Sequence, residues 1–294
     1  MLQRLLNEWS RLTEEISKVH DEPVFVSTDF LKEKLFPVIG VTTVVLTIIY
    51  TLCFKIVDKI APTGSTDQAR CRICYQITNV CFNIFIGCCG LYLEYKVLPT
   101  LDVDPNSPND KIIGHENELY LVTALQLGYQ AWAMPVGIIH VGETLEMIMH
   151  HTAVVVSCIM TGFLTISFRY YSPFFYGVME LSSIPLSIMN SFKDNPEWIK
   201  KYPKGYEISR AVFALSFLAI RNVMCASRWP IFLRDNFIVF YTKEWGFYKA
   251  FMFFQCGLAF FLAYLQLLWG SIVVRNILKM FTKKKGDSGN KKKA

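Results

Sequence analysis

The segment ETLEMIMHHTAVVVSC, residues 143–158, sets Glu143, Glu146, His150, His151 and Ser157 into a stretch otherwise apolar enough for the inside of a bilayer. At about 100° per residue, a helix places Glu143, Glu146, His150 and Ser157 on one narrow stripe and turns His151 away from it. Glu146 precedes His150 by four residues, close enough on a helix to hydrogen-bond the imidazole and favour its protonated form. Two further charges, Glu180 and Arg221, stand in later apolar stretches. Charge facing lipid costs several kcal/mol, so these groups must face the interior of a bundle or a wet cavity. Two arrangements satisfy that demand. In one, Arg221 and Glu180 neutralise each other and the histidines hydrogen-bond between helices, a purely structural role. In the other, the groups line a polar cavity that handles a lipid headgroup or an acyl donor.

The elements that must carry these residues are long and apolar. Of 294 residues, 52% are hydrophobic, and the mean hydropathy is +0.31. About twenty apolar residues span the hydrocarbon layer as a helix. Windows of that kind fall at 37–54, 73–93, 119–140, 145–168, 170–192, 211–227 and 250–274. The expected fold is all-α, a multi-pass transmembrane bundle of about seven helices with a central polar cavity. Residues 1–36 form an N-terminal amphipathic helix and linker, 37–281 the transmembrane domain, and 282–294 a lysine-rich cytosolic tail. The first twenty residues do not read as a secretory signal peptide. Leu2, Leu5, Leu6, Trp9, Leu12, Ile16 and Val19 make one stripe instead, suited to an interfacial helix or to a packed lid.

Charge gives the orientation. Much of the net charge of +6 sits at the end of the chain, where positive-inside bias favours the cytosol. Seven spans then put the basic segments 55–72 and 193–210 on the cytosolic side and the acidic segment 101–118 on the lumenal side. Residues 228–249, with four basic side chains, read as a lumenal loop against that bias. Helical rise places His150 and His151 on the order of 10 Å from the cytosolic ends of their helices, Arg221 roughly 15 Å and Glu180 about 18 Å, so all can share one layer. The chain ends in KKKA, with Lys292 and Lys291 third and fourth from the end. That is the dilysine pattern of endoplasmic reticulum proteins with cytosolic tails; a polybasic tail touching anionic lipid, in this or another organelle membrane, is the alternative.

Nine cysteines and five histidines raise the question of metal. Cys71 and Cys74 form a lone CxxC without the second half that a zinc module needs. Cys74, Cys81 and Cys88 recur every seven residues and fit a helix–helix contact better than an ion. His140, His150 and His151 with Glu143 or Glu146 have no recognisable ligand spacing, so neither a metal nor a nucleic-acid partner is expected.

The motifs together carry a resemblance. GYQAW at 128–132, MHHT at 149–152, MELSSIPLS at 179–187, SFLAIR at 216–221 and LQLLW at 265–269 resemble, in order and spacing, segments of the TLC domain. Ceramide synthases and translocating-chain-associating membrane proteins share that domain. The chain departs from the synthases where a His-Asp…Asp segment would follow the histidine pair. Met179 and Glu180 stand there, so one carboxylate remains and the chain is closer to the non-synthase members. The resemblance implies lipid handling: binding, sensing or acylating a sphingoid or phospholipid substrate. In an acyltransferase, His150 or His151 would be the base or transient acyl acceptor, Glu146 would orient the imidazole, and Arg221 would stabilise developing negative charge. No bound cofactor is implied beyond acyl-CoA as co-substrate. The alternative is a non-catalytic accessory subunit, or a cargo or translocation partner of a larger membrane complex. Gly87, Cys88 and Gly90 would be the small residues that meet such a partner.

Overall fold

The computed structural model describes residues 26–60, 66–113, 118–165, 167–242 and 248–290. The expected N-terminal amphipathic helix, His20, His115 and the terminal KKKA lie outside them. Helix α1 spans Thr28–Lys59, α2 Asp67–Thr100, α3 Pro108–Ile113, α4 Tyr120–Val136 and α5 Leu145–Leu164. An irregular helical run at 169–193 is α6. Then come α7 at Pro196–Lys201, α8 at Pro203–Tyr241 and α9 at Tyr248–Asn290. Among the described residues five helices, α1, α2, α5, α8 and α9, are long and apolar enough to cross a membrane. The protein is an all-α membrane protein.

Local chemistry explains where these helices begin and what they face. Ser27 and Thr66 cap α1 and α2, their hydroxyls accepting from Phe30 N at 3.1 Å and Ala69 N at 3.2 Å. Along α1, Val41, Val44, Ile48, Leu52 and Ile56 are exposed. Its threonines return their hydroxyls to the preceding turn, Thr47 to Thr43 O and Thr51 to Thr47 O, both at 2.8 Å. A polar group is thereby satisfied without leaving the apolar face.

Helices α2 and α6 meet through glycine. A Cβ on Gly90 would lie 2.6 Å from Gly177 Cα, so the two backbones touch. Gly87 is likewise packed against Leu181. These glycines are therefore spent inside the protein, which corrects their reading as a surface for a partner. The cysteine stripe needs correction too: Cys74 is buried, but Cys81 and Cys88 are exposed. Heptad spacing defines a face, and the glycines of α2 decide which face turns inward.

The expected lumenal loop 228–249 is also corrected, since α8 continues unbroken to Tyr241. Its charges Arg228, Arg234 and Asp235 are matched internally. Arg228 pairs with Glu94, and the fully buried Asp235 meets Lys111 Nζ at 2.5 Å and Arg234 at 2.8 Å. Lys111 rides on α3, so that short helix is pinned against α8 at the end of the bundle opposite Arg72 and Asp194.

Candidate functional site

Irregular helix supplies the side chains of the site. Arg221 lies in a π-helical stretch of α8, Phe217–Met224, and Glu180 in a 3-10 stretch of α6, Val178–Ser182. Between α4 and α5 the chain makes a π-type turn, Gly137–Val141, and then a left-handed residue, Gly142 at φ 72°. Departures from the α-helix of this kind aim side chains away from the regular 100° steps and recur at functional sites.

Arg221 is buried and held from two neighbouring helices. Its Nε donates to Ser182 Oγ at 2.6 Å, Nη2 to Ser183 Oγ at 2.9 Å, and Nη1 to Gln266 Oε1 on α9 at 3.4 Å. Ser183 passes the contact on, donating to Glu180 Oε2 at 2.7 Å, and the Arg221–Glu180 pair itself spans 3.6 Å. A guanidinium so braced offers a fixed positive charge inside a low-dielectric bundle.

The histidines sit opposite. His150 packs edge-on to Trp269 with ring centroids 5.3 Å apart, and its Nδ1 is buried without a hydrogen-bond partner among the described residues. His151 is buried, with Nε2 3.6 Å from Glu143 Oε2. Tyr75 OH of α2 donates to Glu143 Oε1 at 2.8 Å. Glu143 stands in the α4–α5 turn, where burial raises its carboxyl above the ordinary glutamate value and the Tyr75 hydrogen bond opposes the rise.

Two chambers meet at this layer. An outer one of about 520 Å³ is lined by Arg72, Tyr75, Asn79, Gln130, Glu143, His151, Lys193 and Asp194, among others. An inner one of about 100 Å³ is lined mainly by apolar and aromatic groups, including Phe168, Phe175, Met179, Trp229, Phe232 and Leu262. Gln126, His150, Glu180 and Arg221 line both. Ser157 reaches only the inner chamber, where Gln255 Nε2 donates to its hydroxyl at 2.7 Å and Tyr176 OH lies 2.5 Å away. Among the described residues no cluster of three or more His, Cys, Asp or Glu side chains is placed to hold a metal ion.

Of the residues singled out in sequence, the structure brings together Glu143, His150, His151, Ser157, Glu180 and Arg221. It leaves Glu146 out. That side chain is exposed in the first turn of α5 and lines neither chamber, so the expected Glu146–His150 pair is replaced by Glu143–His151. The reason is local. α5 begins only at Leu145, so Glu143 belongs to the turn and escapes the helical stepping that put both acids on one stripe. A wall contributed by α2 was missed. Gln76, Asn79 and Asn83 recur at i, i+3 and i+7 in an apolar helix, a polar stripe that sequence alone could have revealed.

The family profile described as the TLC domain matches residues 72–275, more than two thirds of the chain. No curated protein and no solved structure gives a significant match.

Proposed function

Because this chain belongs to the TLC-domain family by the match over residues 72–275, we propose that it handles a membrane lipid, binding, sensing or acylating it within the bilayer. One observation carries the reading: a polar chamber and an apolar chamber meet at His150, Glu180 and Arg221. An amphiphile needs that division, with its headgroup among hydrogen-bonding groups and its chain among Phe175, Phe232 and Leu262.

Acyl transfer is the chemical form of the reading. His150 stands at the junction, where a carbonyl between headgroup and chain would lie. With Nδ1 enclosed, Nε2 is the nitrogen available as base or transient acyl acceptor. Arg221, fixed by Ser182, Ser183 and Gln266, supplies positive charge for an oxyanion. Glu143 takes the positioning role first assigned to Glu146, acting on His151. Acyl-CoA is the proposed donor, and the endoplasmic reticulum, with the C-terminus in the cytosol, the proposed site of action.

Purified protein offered acyl-CoA with a panel of sphingoid bases and lysophospholipids tests this form. The expected outcome is turnover that His150→Asn abolishes while the protein still elutes as a folded species. No turnover by the unsubstituted protein across the panel retires catalysis and leaves binding or sensing.

A further inference from the structure

The charges around the outer chamber carry one step more, which rests on the lipid-handling reading. Its wall holds the cations Arg72, Lys193 and Arg221 and the carboxylates of Glu143, Glu180 and Asp194, so fixed charge balances. Two pairs are already made. Arg72 meets Asp194 at 3.6 Å near the mouth, and Arg221 meets Glu180 at 3.6 Å deeper in. Lys193 and Glu143 are left over. Glu143 has a tyrosine hydroxyl and a histidine beside it, neither of them a permanent cation. Lys193 makes no ion pair within 4 Å among the described residues, and Asp194, the carboxylate that acts on it from farther off, is already engaged by Arg72. The two stand on different walls, Glu143 on the α4–α5 turn and Lys193 at the last residue of α6.

We propose that the outer chamber binds the zwitterionic headgroup of a phospholipid, with its ammonium at Glu143 and its phosphate at Lys193. Tyr75 and Tyr129, which line the same chamber, present aromatic surface to the ammonium. Arg72 lies within the chamber wall and can exchange Asp194 for the phosphate. A headgroup with several negative charges would meet three carboxylates here. A lone amine would use Glu143 alone and gain no contact from Lys193, a solvent-exposed cation of the wall.

The test uses full-length protein in lipid nanodiscs and native mass spectrometry of retained lipid. Choline and ethanolamine phospholipids compete there with phosphatidylglycerol, a sphingoid base and acyl-CoA. The unsubstituted protein is expected to retain a zwitterionic phospholipid. Either zwitterion supports the proposal, choline pointing to the aromatic surface and ethanolamine to hydrogen bonding as the dominant contact. Glu143→Gln should lower that retention about tenfold or more, the scale of removing one partner of a desolvated charge pair, and let phosphatidylglycerol overtake. Lys193→Gln should lower it too, but let the sphingoid base overtake. A folding defect would lower every lipid alike, and Glu143→Asp and Lys193→Arg should restore the original order. Preference of the unsubstituted protein for an anionic or singly charged amphiphile overturns the headgroup assignment and leaves lipid handling standing. So does a shift of both variants in one direction. Retention of no amphiphile of any class overturns lipid handling itself.

Discussion

Glu143 folds back over Gly137 so closely that a Cβ there would lie 2.8 Å from Glu143 Oε2. Tyr75 holds the other carboxyl oxygen, and His151 lies on the chamber side. Protonation of this one group should be readable as ligand loss. Burial raises the Glu143 carboxyl, so it becomes neutral at a higher pH than an exposed glutamate would. Retention of a cationic headgroup is therefore expected to fall as pH descends from neutral. Other groups can titrate over the same descent, so the profile alone does not isolate Glu143. Tyr75→Phe does. It removes a hydrogen bond that favours the ionised carboxyl, so the midpoint of lipid loss should move to higher pH, measured by retained phospholipid across a pH series. An unmoved midpoint would show that a group other than Glu143 governs the loss. Glu146→Gln should leave the profile unchanged, because that side chain is exposed and outside both chambers.

At the scale of elements, the contact between α2 and α6 carries the site, because α2 supplies Tyr75 and Asn79 while α6 supplies Glu180, Ser182 and Ser183. Gly90 and Gly177 allow the two helices to touch, with a Cβ on Gly177 only 2.5 Å from Gly90 Cα. Gly90→Val is expected to cost about 1–3 kcal/mol through overpacking and to lower the thermal unfolding midpoint in detergent. Gly257→Ala is the matched control. Nothing lies within 4 Å of a Cβ there, and the helix gains propensity. Equal midpoints for both variants would show that α2 and α6 can separate without loss. The apolar stretches of these helices were legible in sequence because twenty-residue windows report composition alone. The inner face of α2 was harder to see: Cys74, Cys81 and Cys88 share a stripe, yet two of the three are exposed. A repeat on one helix says which residues lie together, while the partner's small residues decide where they point. His150, Glu180 and Arg221 were legible because charge in an apolar stretch has few places to go. The Glu143–His151 pairing was not, since it depends on a left-handed turn at Gly142 and on a tyrosine 68 residues earlier.

Over the whole molecule, positive charge gathers at one end of the bundle. Arg70 and Arg72 at the start of α2 meet Asp58 and Asp194. Trp198 of α7 packs on the cluster of Cys53, Val57, Ile73 and Cys74, which brings the basic segments 55–72 and 193–210 to the same end. At the far end, the basic residues Lys111, Arg228 and Arg234 are each paired with an acid. Positive-inside bias responds to the number of basic residues near the ends of the spans, and the proposed cytosolic placement is that of the end carrying Arg70, Arg72, Lys200, Lys201 and the mouth of the outer chamber. α9 runs from Tyr248 towards that same end, where Trp269, Ile272 and Val273 line the outer chamber, and the lysine-rich tail follows it. The tail would then be presented to cytosolic coats. Replacing Lys291 and Lys292 by serine should release the protein from the endoplasmic reticulum to later compartments, seen by imaging an N-terminally tagged form in cells. Replacing Lys283 and Lys284 instead removes the same charge from the tail but leaves the KKKA ending, and should leave the distribution alone. Release by both pairs would mean that bulk positive charge against anionic lipid, rather than the dilysine position, retains the protein. An unchanged distribution in both would make the KKKA ending a consequence of lysine-rich composition, with the organelle set by another part of the chain.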